Sequence, residues 1–132
     1  MNDTAKMPTK AHKSDAGFDL YVSRTSEKNG CLVCHSDVAF EIPEGYVGLV
    51  FPRSSIANTG LMLTNSVGVI DSCYRGDVMC KFRKTGLYAH NYEHGDRFAQ
   101  IVIMPYPEIE FVEADELSES DRGTGGYGSS GK

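Results

Sequence analysis

The sequence predicts an all-β sandwich or barrel, and two observations carry that expectation. No window sustains a helical period of apolar residues. Short apolar or alternating runs recur instead, with turn signals at close spacing between them. The glycine content, 14 in 132 residues, fits such a fold, because glycine serves tight turns and close backbone approach.

Taken in order, residues 1–14 are polar and lysine-bearing and read as an extended lead-in. Residues 18–22 read as a short strand, and residues 23–30 as a polar, turn-rich loop. Val38-Ala39-Phe40-Glu41-Ile42 alternates apolar and polar, the period of a half-buried strand. Pro43-Glu44-Gly45 is a turn signal and residues 46–51 form a second run, so a hairpin is expected here. Pro52 ends that run, and residues 53–60 are the best place for one short helix. Another hairpin is expected between Met62 and Phe82, with its tip near residues 71–76. Residues 97–104 read as a buried strand and residues 109–112 as a further short one. Residues 118–132 are rich in Gly, Ser and charge and hold almost no core-forming side chains, so this arm is expected to be mobile until something orders it. With no internal repeat, residues 1–132 read as a single domain ending in that arm.

A chain of 132 residues can bury about two-thirds of the surface its unfolded form exposes, enough for a core without staples. Its 40% hydrophobic and 23% charged content is ordinary for a soluble globular protein. The formal net charge of -5 argues against non-specific nucleic-acid binding, which depends on basic side chains displacing counterions. A single nucleotide is not excluded, because a few arginines can hold one. No apolar run approaches the roughly 18 residues needed to span a bilayer. The first residues carry no apolar signal region, so a cytoplasmic protein with reduced cysteines is expected.

The C-terminal arm is the most informative segment. Arg122-Gly123-Thr124-Gly125-Gly126-Tyr127-Gly128-Ser129-Ser130-Gly131 combines a phosphate-gripping arginine, a stacking aromatic, hydroxyls and glycines. Composition alone would make it a flexible tail. Asp71, at a hairpin tip, is either a general base or a turn cap, and turn aspartates are common. Arg53-Ser54-Ser55 follows a strand and offers an anion site, or a helix N-cap through either serine, or both at once. Cys31-Leu32-Val33-Cys34-His35 matches a short haem-attachment pattern, half a zinc site or a redox pair. It lacks a second Cys-x-x-Cys, so ordinary strand or loop cysteines are the better account. His90 and His94 lie in loop-like sequence, and Glu113, Asp115, Glu116 and Glu119 read as a solvated face.

Taken together and in order, these segments resemble the trimeric dUTPase family. The resemblance rests on Asp15-Ala16-Gly17-Phe18-Asp19-Leu20, Pro52-Arg53-Ser54-Ser55-Ile56-Ala57, Asn65-Ser66-Val67-Gly68-Val69-Ile70-Asp71-Ser72-Cys73-Tyr74-Arg75-Gly76, Gly95-Asp96-Arg97-Phe98-Ala99-Gln100, and the arm. It implies a jelly-roll-like distorted barrel or sandwich, the β-clip of such enzymes. It also implies a homotrimer with active sites at subunit interfaces, the arm lent as a lid. The implied reaction is Mg²⁺-dependent hydrolysis of dUTP to dUMP and pyrophosphate, which keeps uracil out of DNA and supplies dUMP for dTMP synthesis. By the same resemblance Asp71 deprotonates the attacking water, Asp19 holds magnesium through water, and Arg53, Ser54, Ser55 and Gln100 contact phosphates, with Arg53 a candidate to orient Asp71. Asn65, Val69, Ile70 and Met79 surround uracil, and Tyr74 packs beneath deoxyribose. Arg122, Ser129 and Ser130 bind terminal phosphates while Tyr127 stacks over uracil. The sequence departs from the family pattern at Ser55 (commonly glycine), Cys73 (frequently aspartate) and Tyr127 (commonly phenylalanine), and its N-terminal strand is short or absent.

Two other readings share the scaffold. A dCTP deaminase, mono- or bifunctional, would need a glutamate as proton shuttle, whereas this hairpin offers Asp71. A non-catalytic dUTP-binding or regulatory protein would bind without turnover.

Overall fold

Eight strands pair into two antiparallel four-stranded sheets, and the only helical element among the described residues is a 3₁₀ segment, Ser54–Asn58. The computed structural model describes residues 4–131; residues 1–3 of the lead-in and Lys132 of the arm lie outside them. In chain order the strands are β1 Phe18–Tyr21, β2 Arg24–Lys28, β3 Cys31–His35, β4 Tyr46–Pro52, β5 Leu61–Leu63, β6 Gly68–Ile70, β7 Met79–Lys84 and β8 Arg97–Pro105. One sheet runs β1-β8-β4-β6 and the other β2-β3-β7-β5.

Period-two alternation decides which side chains meet between the sheets. Leu20, Val50, Ala99 and Ile101 from the first sheet are 2% exposed or less. Leu32, Cys34, Leu63, Cys80 and Phe82 from the second complete the same cluster. Phe82 and Phe98 bridge the layers edge-to-face with ring centroids 6.4 Å apart, a favoured aromatic geometry. The Val, Leu, Ile and Phe side chains among these contribute about 1.5–3 kcal/mol of burial energy each.

Several expectations change. Residues 23–30 are not loop: Arg24–Lys28 is a fully exposed strand paired to β3 through the two-residue turn Asn29-Gly30. Both turn residues have positive φ, 52° and 72°, the conformation that fits the twist of a tight hairpin. Residues 38–42 are not a strand. Asp37 at φ 53° breaks the extended run, and the backbone pairing here is confined to Val78, which accepts from Ser36 N and donates to Val38 O. Val38 and Ile42 are nonetheless buried. The turn at Pro43 is present, with Tyr46 N donating to Pro43 O at 3.2 Å. Residues 109–112 form no strand and stand exposed, Phe111 at 96%. They pair with no strand among the described residues, and an unpaired run is not a stable strand.

The Met62–Phe82 hairpin pairs only at its base, Met62 opposite Arg83 and Leu63 opposite Phe82. Above it, β6 leaves for the other sheet and pairs with β4. The tip near residues 71–76 holds, closed by Tyr74 N donating to Asp71 O at 3.1 Å and by Arg75 Nη1 donating to Ser72 O at 2.6 Å. The helical segment 53–60 is 3₁₀, and its N-cap is Arg53 with no side-chain capping bond, so neither serine caps it.

Candidate functional site

Two clefts collect the candidate residues, and strand register explains each. In the first sheet Asp19 lies opposite Gln100, and Gln100 opposite Phe51. Directly opposed residues share a face, so this row points away from the core. The row floors a cleft of about 380 Å³ that also takes in Asp15, Arg53 and Ser54. Gly17 approaches so closely that a Cβ there would stand 2.6 Å from Gln100 Oε1. A side chain at residue 17 would have to push the Gln100 amide aside.

Asp19 is the electrostatic centre of this cleft. Arg53 Nε donates to its Oδ1 at 2.8 Å and Arg97 Nη1 to its Oδ2 at 3.3 Å. Arg97 reaches it because of a bulge. The β1–β8 register slips between Leu20 and Tyr21, so Phe98 and Ala99 are both buried and Arg97 is re-aimed. Arg97 was visible in Gly95-Asp96-Arg97-Phe98-Ala99-Gln100 but had no role in the sequence reading, because the bulge that turns it is not encoded by any local signal. Both Asp19 oxygens are thus engaged by guanidinium groups.

The second cleft, about 250 Å³, opens where β6 and β7 diverge into different sheets. Asn65, Val69, Ile70, Asp71, Tyr74 and Met79 line it. β6 is the edge strand of its sheet, so one side of its backbone faces this gap with hydrogen-bonding groups. Asp71 is exposed. The Tyr74 ring folds back over Gly76, where a Cβ would meet its Oη at 2.3 Å, and its hydroxyl donates to Asp77 O at 3.2 Å. Asp77 also lines the cleft; sequence reasoning missed it, since only its place after Gly76 hinted at a role.

The two clefts share no lining residue. Arg53 therefore stands with Asp19 in this chain, not with Asp71. Ser55 lines neither cleft and accepts a 3.5 Å bond from Arg53 Nη1. Arg122, Tyr127, Ser129 and Ser130 also lie outside both. The arm bonds to itself, as in Arg122 Nε to Gly125 O at 2.7 Å and Ser129 N to Gly126 O at 3.0 Å. Tyr127 is fully exposed.

The Cys-x-x-Cys-His segment is strand β3, with all four cysteines of the chain free. Burial pushes the Cys34 and Cys80 thiols up to about 12, with their mutual proximity adding to the effect at Cys34. They stay protonated at neutral pH and act as small apolar groups. Burial likewise raises Tyr92, which packs on Phe82 with ring centroids 5.3 Å apart. His94 Nδ1 lies 2.9 Å from Ser23 O, a structural contact away from both clefts.

Residues 3–131 match the sequence profile of a family described as dUTPase. The chain is 42% identical over 129 residues to the deoxyuridine 5'-triphosphate nucleotidohydrolase of Tropheryma whipplei, covering 95% of this chain and 88% of that protein. It is 45% identical over 135 residues to the protein of the same name from Escherichia phage T5, covering 95% and 91%. Among solved structures, the Staphylococcus bacteriophage 80alpha dUTPase with dUpNHpp superimposes with a TM-score of 0.87 at 32% identity, covering 98% of this chain and 94% of that one. The dUTPase of Staphylococcus aureus phage phi11, 29% identical with a TM-score of 0.74 over 87% of this chain and 93% of that one, coordinates a structural Mg(II) ion.

Proposed function

The chain belongs to the dUTPase family, and from that membership we propose that it hydrolyses dUTP to dUMP and pyrophosphate through water activated by Asp71. The observation that carries the reading is the convergence of Asn65, Val69, Ile70, Asp71, Tyr74 and Met79 on one cleft. The free edge of β6 offers backbone donors and acceptors that can read uracil against cytosine. A mismatched base would leave buried polar groups unpaired, which gives large discrimination. Tyr74 forms the wall beneath the sugar.

In the reaction Asp71 takes a proton from water, whose oxygen bonds to the α-phosphorus while the bond to the bridging α–β oxygen breaks. Positioning and charge neutralisation supply most of the barrier reduction in phosphoryl transfer. Arg53, Ser54 and Gln100 contact the triphosphate in the other cleft, with Ser55 beside them. Asp19 would hold Mg²⁺, and the ion would supply neutralisation of phosphate charge.

Because Asp71 and the cationic cleft share no lining residue, the reading requires them to meet across copies, in a homotrimer of single-domain subunits. Exposed apolar side chains support this: Met104 is 42%, Ile109 66% and Leu117 91% exposed, more than an isolated surface favours. The arm then closes over a neighbour's site, with Arg122, Ser129 and Ser130 on terminal phosphates and Tyr127 over the base.

The test is release of pyrophosphate from dUTP, dCTP, dTTP and UTP in parallel with Mg²⁺, with ammonia followed for dCTP. Release from dUTP alone is expected. Ammonia from dCTP would move the chain to the deaminases, and dUTP binding without turnover would make it a binding protein.

A further inference from the structure

Behind the wall of the second cleft lies a polar cluster that the proposed reaction does not use. His35 Nδ1 sits 2.7 Å from Asp77 Oδ2; a carboxylate only accepts, so the ring donates from Nδ1. Ser36 Oγ, with a single proton, donates to Val78 O at 2.7 Å and stands 3.3 Å from Asp77 Oδ1. Arg24 stands outside, Nη2 3.8 Å from Asp77 Oδ2 and Nε 3.1 Å from Asp37 Oδ1. On the far side of the imidazole, Ser26 Oγ is 3.3 Å from Nε2. His35, Asp37 and Asp77 place three ligand-type atoms within 4.8 Å of one another, but Arg24 already supplies the positive charge such a set would draw. The cluster is a tether between the outer sheet and residue 77.

What it tethers is the seat of Tyr74. That ring has two supports, and both are backbone at residues 76 and 77. Gly76 gives it room, since any Cβ would strike the ring, and Asp77 O accepts its hydroxyl proton. This piece of backbone joins the tip to β7. Beyond it Val78 is pinned by backbone bonds to Ser36 and Val38; at residue 77 the side chain is the anchor, bonded to His35 on one oxygen, with Arg24 3.8 Å away and Ser36 3.3 Å from the other oxygen. The His35 bond to this carboxylate is charge-assisted and short, and His35 is nearly buried on its strand, its side chain 13% exposed.

We propose that His35 and Asp77 are positioning residues that set the Tyr74 ring in the nucleoside cleft, and with it the choice between deoxyribose and ribose. The proposal rests on the reading of this cleft as the nucleoside half of a dUTP site. A wall that excludes one hydroxyl works only if it cannot retreat. A shift of a few tenths of an ångström at residue 77 would carry the ring with it and relax the exclusion, while leaving Asp71 on the other side of the tip in place.

The experiment compares kcat/KM for dUTP and UTP in the full-length wild type, His35→Leu and His35→Asn. Asparagine keeps a donor near the position of Nδ1; leucine keeps bulk and removes it. Losing one charge-assisted bond is expected to lower the dUTP-to-UTP ratio about tenfold in His35→Leu. The loss should fall on KM for dUTP and on UTP acceptance, with kcat for dUTP within about twofold of wild type. His35→Asn should restore most of the ratio. Should His35→Leu fail to fold, Asp77→Asn carries the same comparison, because it keeps the shape of the cleft wall and loses the charge. An unchanged ratio in a folded His35→Leu or Asp77→Asn, with only the melting temperature lowered, overturns the proposal and reduces the cluster to a stabilising tether. A wild type with no preference between the two substrates instead overturns the reading of the cleft, and the proposal with it.

Discussion

Asp19 and Asp71 are both carboxylates in sequence motifs, and their surroundings separate their chemistry. Asp19 is only 15% exposed at its side chain and is held by two guanidinium groups. Asp71 is exposed at a loop tip with no ion pair among the described residues, the place the proposed reaction assigns to its base. Asp71→Asn is therefore expected to cut turnover of dUTP by about 10²- to 10⁴-fold, the usual worth of a general base, with binding of dUpNHpp kept within a few fold. Steady-state kinetics beside calorimetric titration with that analogue checks it; unchanged turnover removes Asp71 from the role.

At the scale of elements, the hairpin of β2 and β3 shows how a turn can outrank composition. Arg24–Lys28 has no apolar residue and is exposed throughout, so no burial pattern marks it as a strand. Its partner β3 is buried at four of five positions, and Asn29-Gly30 supplies the positive φ values that join them. A Cβ at Gly30 would meet nothing within 4 Å, so substitution there is penalised by backbone conformation alone. Gly30→Ala is expected to destabilise by about 1–2 kcal/mol, a fall of several degrees in melting temperature. Gly86→Ala is the control, since its Cβ also meets nothing within 4 Å and its φ is not positive. It should melt within about a degree of wild type. Equal melting of the two variants would show that the turn does not hold the hairpin.

At the scale of the whole molecule, the arm is separable from the core. No residue beyond Ile101 belongs to the main buried cluster, and the hydrogen bonds of the arm run within itself. Deleting residues 122–132 is expected to leave melting temperature and assembly unchanged while lowering kcat/KM for dUTP by at least about 100-fold, the scale of losing preorganised phosphate donors. Sedimentation, thermal melting and pyrophosphate release on the same sample check this together. Full activity in the truncated protein would show that the arm is no lid.

The all-β class was legible in the sequence because alternation and turn residues are local signals, and β4, β8 and the Pro43 turn were read from them. The residues of the second cleft were named through the family resemblance instead, and they lie within a single stretch of chain from Asn65 to Met79. What local signals could not decide was partnership. The run at residues 38–42 has a strand's pattern and no strand, because Asp37 turns the backbone and the backbone pairing there is confined to Val78. The run at residues 109–112 fails because it pairs with no strand among the described residues. The bulge that aims Arg97 at Asp19, the departure of β6 from its hairpin, and the tether from His35 to Asp77 across 42 residues all depend on which strands lie side by side. Pairing of that kind is a long-range choice, made by the joint burial of both sheets rather than by any segment's own preference.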